Sequence, residues 1–186
     1  KKNYFLFIEN TKDIDLCNIK KRRKFVIVYR NFKNEEKISS LIKFRKKCRL
    51  KQIKFFVANN YRLASLLNAN GIYLSSHNKS FKALYFKKRN YEIIGSAHNF
   101  SEIFFKRKQG CKYVFLSRLF LVSYKKELNY LNVNKYNKYS ITFENLIPLG
   151  GINALNLNKL RSVNCNSFAI SSEVKKKPAK IFSRLF

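Results

Sequence analysis

His77 and His98 are the side chains in this sequence best suited to moving a proton near neutral pH, since an unperturbed imidazole titrates at about 6.5. Ser96 stands two residues before His98 and has a hydroxyl that can orient the imidazole or a substrate. The Gly150-Gly151 pair offers main-chain N–H groups without a side chain in the way, which suits an anion. Ser171 and Ser172 add hydroxyls and amides of the same kind, and Arg30, Arg118 and Lys125 are candidate counter-charges for a phosphate. A Gly-Gly pair serves a tight turn equally well, and a lone loop histidine serves a surface hydrogen bond, so their position in the fold has to decide.

Metal chemistry finds less support. Cys17, Cys48, Cys111 and Cys165 lie far apart, with no C-x-x-C pair and no adjacent histidine. A zinc site needs clustered ligands, so these cysteines read as reduced residues in or near the core.

The elements that position the candidates follow from apolar patterning. Continuous apolar runs mark strands buried on both faces, as in a parallel sheet. Such runs occur at Tyr4–Ile8, Phe25–Tyr29, Ile53–Ala58, Gly71–Leu74, Tyr91–Gly95, Tyr113–Leu116, Leu146–Leu149 and Ser167–Ile170. Helical spacing separates them: Ile38, Leu41, Ile42 and Phe44 within 33–50, then 60–67, 79–88, 100–108, a weaker stretch at 132–139, and 156–160. A last helix is expected over 173–186, with Pro178 near its start. Eight strands alternating with helices predict a single α/β domain over 1–186, a compact (β/α)8 TIM barrel with short or missing helices. A doubly wound sheet is the rival, and the glycine-rich fingerprint of its dinucleotide-binding version does not follow the first strand.

Barrel sites open at the C-terminal ends of the strands. That rule gathers Arg30 after strand two, Asn59 after strand three, Asn78 after strand four, and Ser96 with His98 at strand five. Arg118 and Lys125 fall in the long loop after strand six, Gly150-Gly151 after strand seven and Ser171-Ser172 after strand eight. The ends of strands seven and eight form the usual phosphate cradle of such barrels.

The 186 residues carry 40 Lys+Arg against 10 Asp+Glu, a net charge of +30. With 46% hydrophobic residues the chain can build a core, which excludes a disordered polycation. Arg118 interrupts the most apolar stretch, Tyr113–Tyr124, well short of the ~20 residues of a membrane span. Glu9 closes the N-terminal run too early for a signal-peptide core. The expectation is a cytoplasmic protein without a membrane partner, its oligomeric state open. Lys20–Lys24 and Lys175–Lys177 are basic runs, and nonspecific nucleic-acid binding is expected at low salt. The excess is spread along the chain beside heavy use of Asn, Ile and Phe, as an AT-rich coding sequence would also produce.

Local words then carry a resemblance. Asn68–Leu74 (N-A-N-G-I-Y-L) is similar to the G-A-D-G-V-H-L of thiamine-phosphate synthases and TenI-type proteins, and Ser96–Asn99 (S-A-H-N) to their S-T-H-S. Gly110–Phe120 resembles G-A-D-Y-V-x-L-G-P-V-F, Leu149–Asn153 resembles I-G-G-I, and Ser167–Ser171 resembles the final G-V-A-V-I-S. These words run in family order from about Val26 to Ser172. The resemblance implies a (β/α)8 barrel whose synthase members join a hydroxymethylpyrimidine diphosphate to a thiazole phosphate with Mg²⁺. It implies a phosphate site at Gly150, Gly151, Ile170 and Ser171, with Arg30 and Lys125 adding charge. The synthase Q-L-R-E-K after strand two becomes V-Y-R-N-F, with Phe32 where the lysine stands and Lys33 one residue late. The two Mg²⁺-binding aspartates of the synthases fall on Asn59 and Asn78, and neutral amides remove two charges from a site that favours carboxylates. His98 resembles the acid/base histidine of the thiazole tautomerases, which need no metal. The sequence therefore reads as a tautomerase-like or catalytically degenerate relative binding a phosphorylated thiazole or pyrimidine ligand. The alternatives are a residual synthase holding Mg²⁺ through amide oxygens, and a non-catalytic basic barrel binding RNA or the ribosome.

Overall fold

The computed structural model describes residues 3–19, 24–31, 36–121 and 130–171. Its strands are β1 (Tyr4–Ile8), β2 (Phe25–Tyr29), β3 (Lys54–Ala58), β4 (Gly71–Leu74), β5 (Glu92–Ala97), β6 (Tyr113–Ser117), β7 (Leu146–Leu149) and β8 (Phe168–Ile170). They pair in chain order, all parallel, and β8 closes on β1 through Tyr4↔Phe168 and Leu6↔Ile170. The expected closed barrel is what forms.

Both strand faces are apolar because both are buried. Alternate residues point inward, where Phe5, Phe7, Phe56, Tyr73, Ile94 and Phe115 fill the barrel. Their neighbours Leu6, Ile27, Phe55, Ile72 and Val114 face the surrounding helices. The inner layer is largely aromatic: Phe115 meets Phe5 edge-on at 5.0 Å and Phe7 at 5.4 Å, and Phe7 meets Tyr73 at 5.1 Å.

Among the described residues five α-helices surround the strands: α1 (Ile38–Leu50), α2 (Tyr61–Leu66), α3 (Ala83–Lys88), α4 (Phe100–Lys108) and α5 (Asn132–Thr142). In the same set, short 3-10 turns at Thr11–Asp13 and Leu16–Asn18 lie between β1 and β2, and another, Leu157–Ser162, lies between β7 and β8. The helix expected from residue 79 begins only at Ala83. Asn78 Oδ1 accepts from the Ser80 N–H and Ser80 Oγ from the Lys82 N–H, so side-chain turns compete with helical bonding. The weak stretch at 132–139 is a full helix of 11 residues, entered through a Lys135 N–H to Asn132 Oδ1 bond. The 173–186 helix, Lys175–Lys177, Lys20–Arg23, Phe32 and Lys33 lie outside the described residues.

Cys48 and Cys111 are buried and Cys165 half-buried, but Cys17 is exposed, correcting the expectation that all four lie in or near the core. Its place in a short turn, capped by Asp15 Oδ1, explains why. Among the described residues no cluster of His, Cys, Asp or Glu could hold a metal ion, and no helix is long and apolar enough to cross a membrane.

Burial pushes the Cys48 and Cys111 thiols up to about 12, leaving roughly one thiolate in ten thousand at pH 8. A disulfide reagent at pH 8 is expected to modify Cys17 in the native protein and Cys48 and Cys111 only on unfolding. Early labelling of either, located by peptide mass, would contradict this packing.

Candidate functional site at the barrel mouth

The C-terminal ends of β3 and β4 are tied by side-chain amides. Asn59, just past β3, adopts φ 56°, a left-handed conformation that asparagine tolerates better than most residues. Its Oδ1 accepts from Asn78 Nδ2 at 3.0 Å and from the Ser75 N–H at 3.0 Å, while its Nδ2 donates to Ser75 Oγ at 3.2 Å. The two positions that resemble the synthase aspartates are thus adjacent, and they bond each other directly. Two carboxylates in that place would repel unless a cation lay between them; two amides attract. The residues present do not fit a resident Mg²⁺, which favours carboxylate and phosphate oxygens.

Beneath this pair lies a lysine that sequence reasoning missed. Lys106, on α4, is fully buried. Its Nζ donates to Ser75 O at 2.7 Å, Asn78 O at 2.8 Å and Gln109 Oε1 at 2.9 Å. Buried Gln109 donates in turn to Asn78 O at 3.1 Å and Ser80 O at 2.8 Å. Burial pushes the Lys106 ammonium down to about 8. Gly95 on β5 makes room for the stem, since a Cβ there would come within 2.9 Å of Lys106 Cδ and 2.8 Å of Cys111 Sγ. A lysine on a surface helix ordinarily reads as solvated; the one available signal was its spacing of three from buried Ile103.

The floor of the mouth continues the aromatic layer. The Arg30 guanidinium lies over the Phe7 ring at 5.1 Å, and the Arg30 N–H donates to Ile8 O at 2.7 Å. The Tyr73 hydroxyl donates to Ser96 Oγ at 2.9 Å, both groups being buried. Burial raises the Tyr73 phenol, against the opposing influence of Ser96 and Arg30. Ser96 therefore bonds Tyr73, which stands where the family word has histidine; the structure gives no Ser96 bond to the His98 ring.

His98 is held instead by Glu102 on the first turn of α4. The Glu102 carboxylate accepts from the His98 N–H at 2.9 Å and lies 3.0 Å from Nδ1, while Asn99 caps the helix by accepting from the Glu102 N–H at 2.9 Å. Partial burial works against ionisation of Glu102, but the bonds from His98 outweigh it and hold the carboxyl below its usual range. An ionised carboxylate only accepts, so Nδ1 carries the proton and neutral His98 keeps a basic Nε2. The imidazole is half exposed. His77, the second candidate, is exposed.

Across the mouth, Gly150 and Gly151 both have left-handed φ, 94° and 72°. Gly150 O accepts from the Phe120 N–H at 3.1 Å, and Gly151 O accepts from Asn156 Nδ2 at 2.7 Å. In a planar trans peptide the N–H opposes the C=O, so the Gly151 and Ile152 N–H groups point away from those partners. A Cβ on Gly151 would stand 2.5 Å from Phe120 O, and one on Gly150 2.9 Å from Arg118 Cγ. The glycines are thus required by the β6 loop packed on them, whatever they bind. Arg118 lies against this turn with Nη1 buried and without a hydrogen-bond partner among the described residues. Ile170 faces the helix layer, so its side chain takes no part in the mouth. Ser171 follows β8, half-buried; Lys125 and Ser172 lie outside the described residues.

Two clefts of about 390 and 400 Å³ open at the other end of the barrel. They are lined by strand starts such as Tyr4, Tyr113 and Leu146, the face of such barrels that reads as stability and not catalysis.

No curated protein matches the chain. Among solved structures it is similar to a thiamine phosphate pyrophosphorylase from Pyrococcus furiosus, 16% identical, with a TM-score of 0.75 over 98% of this chain and 91% of that one. It is also similar to KGPDC from Streptococcus mutans, 9% identical, with a TM-score of 0.66 over 98% and 96%. At these identities the likeness is one of fold. The family itself is shown by sequence: the thiamine monophosphate synthase model matches residues 18–174, and the chain belongs to that family.

Proposed function

We propose that the chain binds a phosphorylated thiazole, or a similar small phosphate, at the ends of β6, β7 and β8 without magnesium. Any turnover is then a tautomerase-like proton transfer at His98. The observation that carries the reading is Arg118: a buried guanidinium nitrogen without an acceptor among the described residues, beside a double-glycine turn whose N–H groups point away from their packing partners. An unmet buried donor on a charged group costs more than an ordinary hydrogen bond returns, and a phosphate oxygen meets it. Arg30 adds charge from β2, and the Ser171 amide completes the cradle. His98, its Nδ1–H held by Glu102, offers Nε2 as the base. The Asn59–Asn78 bond supports the metal-free part of the proposal.

A second reading is favoured by the outer face of α3 and α4. Phe81, Tyr85 and Phe104 are about half exposed. Lys79, Arg89 and Lys108 lie 4.8–5.1 Å from the ring centres of Phe105, Tyr85 and Phe104. Aromatic rings set among cations suit stacked bases and phosphates of single-stranded RNA.

Titration calorimetry with thiazole phosphate in EDTA is expected to show binding that Arg118→Gln weakens about 10- to 100-fold, the size of a lost charge-assisted bond. Equal affinity in the variant would remove Arg118 from the site. Incubation with hydroxymethylpyrimidine diphosphate, thiazole phosphate and Mg²⁺ is expected to yield no enzymatic thiamine phosphate; efficient Mg²⁺-dependent formation would restore the synthase. For the second reading, Tyr85→Ala with Phe104→Ala is expected to weaken oligo(U) binding at 150 mM salt about tenfold. If the double variant binds unchanged, RNA affinity reflects net charge alone.

A further inference from the structure

The β3–β4 end of the mouth carries two neutral amides, and one charge is buried beneath them. Lys106 Nζ has three N–H donors, and all three meet acceptors, at 2.7, 2.8 and 2.9 Å. Gln109 is equally complete: its oxygen takes one lysine proton and its Nε2 reaches Asn78 O and Ser80 O. The carbonyls of residues 75, 78 and 80 are therefore pinned from below. From above, Asn59 bonds the Ser75 N–H and the Asn78 side chain. Among the described residues no carboxylate forms an ion pair with Lys106, the Glu102 charge acting on it only from a distance, so its three N–H groups rest on amide oxygens, as a bound cation would. Burying an ammonium without a carboxylate partner is costly even after relaxation, and an apolar side chain of similar size would fill the slot over Gly95 without that cost. A lysine retained there implies a task for the charge.

We infer that Lys106 is a positioning residue that stands in for a divalent metal: with Gln109 it fixes the 75–80 loop so that Asn59 and Asn78 bond directly, ordering this side of the mouth without metal. The inference rests on the reading that the mouth works without magnesium, and it concerns the empty protein, so its test needs no ligand. In a bivalent family site, β3 and β4 would each offer a carboxylate and the ion would join them. Here the join is a hydrogen bond, and the cation sits one layer lower, inside the protein. The consequence for specificity is that this side of the mouth presents amides and a closed loop, with no metal to grip a diphosphate. The occupant it suits is a phosphate monoester held at β6–β8.

The test is hydrogen exchange of the full chain, read by mass spectrometry over peptides spanning 75–80, in EDTA and in 5 mM Mg²⁺. Protection of this loop is expected to be the same in both. Lys106→Met and, independently, Gln109→Ala are expected to lower it at least tenfold while β1 and β6 keep theirs. A second signature is the lysine ammonium ¹H–¹⁵N signal: one slowly exchanging resonance is expected near neutral pH, lost in Lys106→Met. Protection that appears only with Mg²⁺ would return the organising role to a metal and overturn the inference. Unchanged protection in Gln109→Ala, together with no protected ammonium signal, would overturn it as well, even if Lys106→Met fails to fold. Failure of thiazole phosphate to bind would leave these results standing, so the two readings fail separately.

Discussion

Everything at the mouth stands on the filling of the barrel interior. Eight short strands, the shortest only three residues long, close a parallel sheet whose inside must be packed without voids. The solution here is aromatic: Phe5, Phe7, Phe56, Tyr73 and Phe115 fill the axis that branched aliphatics usually fill. Flat rings meeting edge-on gain from their quadrupoles as well as from burial. They also set the height of the floor. Phe7 provides the face on which Arg30 rests, and Tyr73 provides the hydroxyl that bonds Ser96. The site is the polar surface of an aromatic plug.

That dependence explains which features were legible in the sequence. A strand buried on both faces must be apolar at consecutive positions, so F-V-I-V-Y at 25–29 and G-I-Y-L at 71–74 announced β2 and β4 to the residue. Helices on the outer layer carry a weaker pattern, because one face is solvated and local side chains can redirect the backbone. Asn78 and Ser80 did so ahead of α3, and Asn153 with Asn156 did so where a helix was expected near β8. The barrel rule brought Asn59 and Asn78 together correctly, since strand ends fix their neighbourhood. What it could not supply was the direction of a side chain. Ser96 and His98 are two residues apart on one strand end, yet one turns to Tyr73 and the other to Glu102. Lys106 was invisible for a related reason: composition marks lysine as surface, and only the missing side chain of Gly95 across the helix–strand interface makes a buried stem possible.

The Glu102 contact shows how one residue can serve helix and site together. Asn99 accepts from the Glu102 N–H in the first turn of α4, as a cap does, and Glu102 reaches back to accept from the His98 N–H ahead of the helix. The same carboxylate then fixes the His98 tautomer. The backbone bond from residue 98 to Glu102 is open to any side chain, and the imidazole adds only the Nδ1 contact, which leaves its second nitrogen free of Glu102. The presence of His98 alone therefore says less about turnover than the position of Nε2 relative to a bound ligand does.

The electrostatics of the mouth point the same way. Where a carboxylate pair would hold a divalent ion, the site carries net negative charge without the ion and needs it to accept a diphosphate. With Asn59 and Asn78 in those places that pair of negative charges is absent, and the fixed charges nearby are Arg30 just past β2, Arg118 after β6, Lys106 below and the Glu102 carboxylate beside His98. Adding Mg²⁺ to such a mouth brings like charge to like charge. A phosphate dianion would instead bring opposite charge to Arg30 and Arg118, and would supply the acceptor that Arg118 Nη1 lacks among the described residues. On the proposed reading, two amides in place of two carboxylates favour a bare phosphate over a metal-bridged diphosphate.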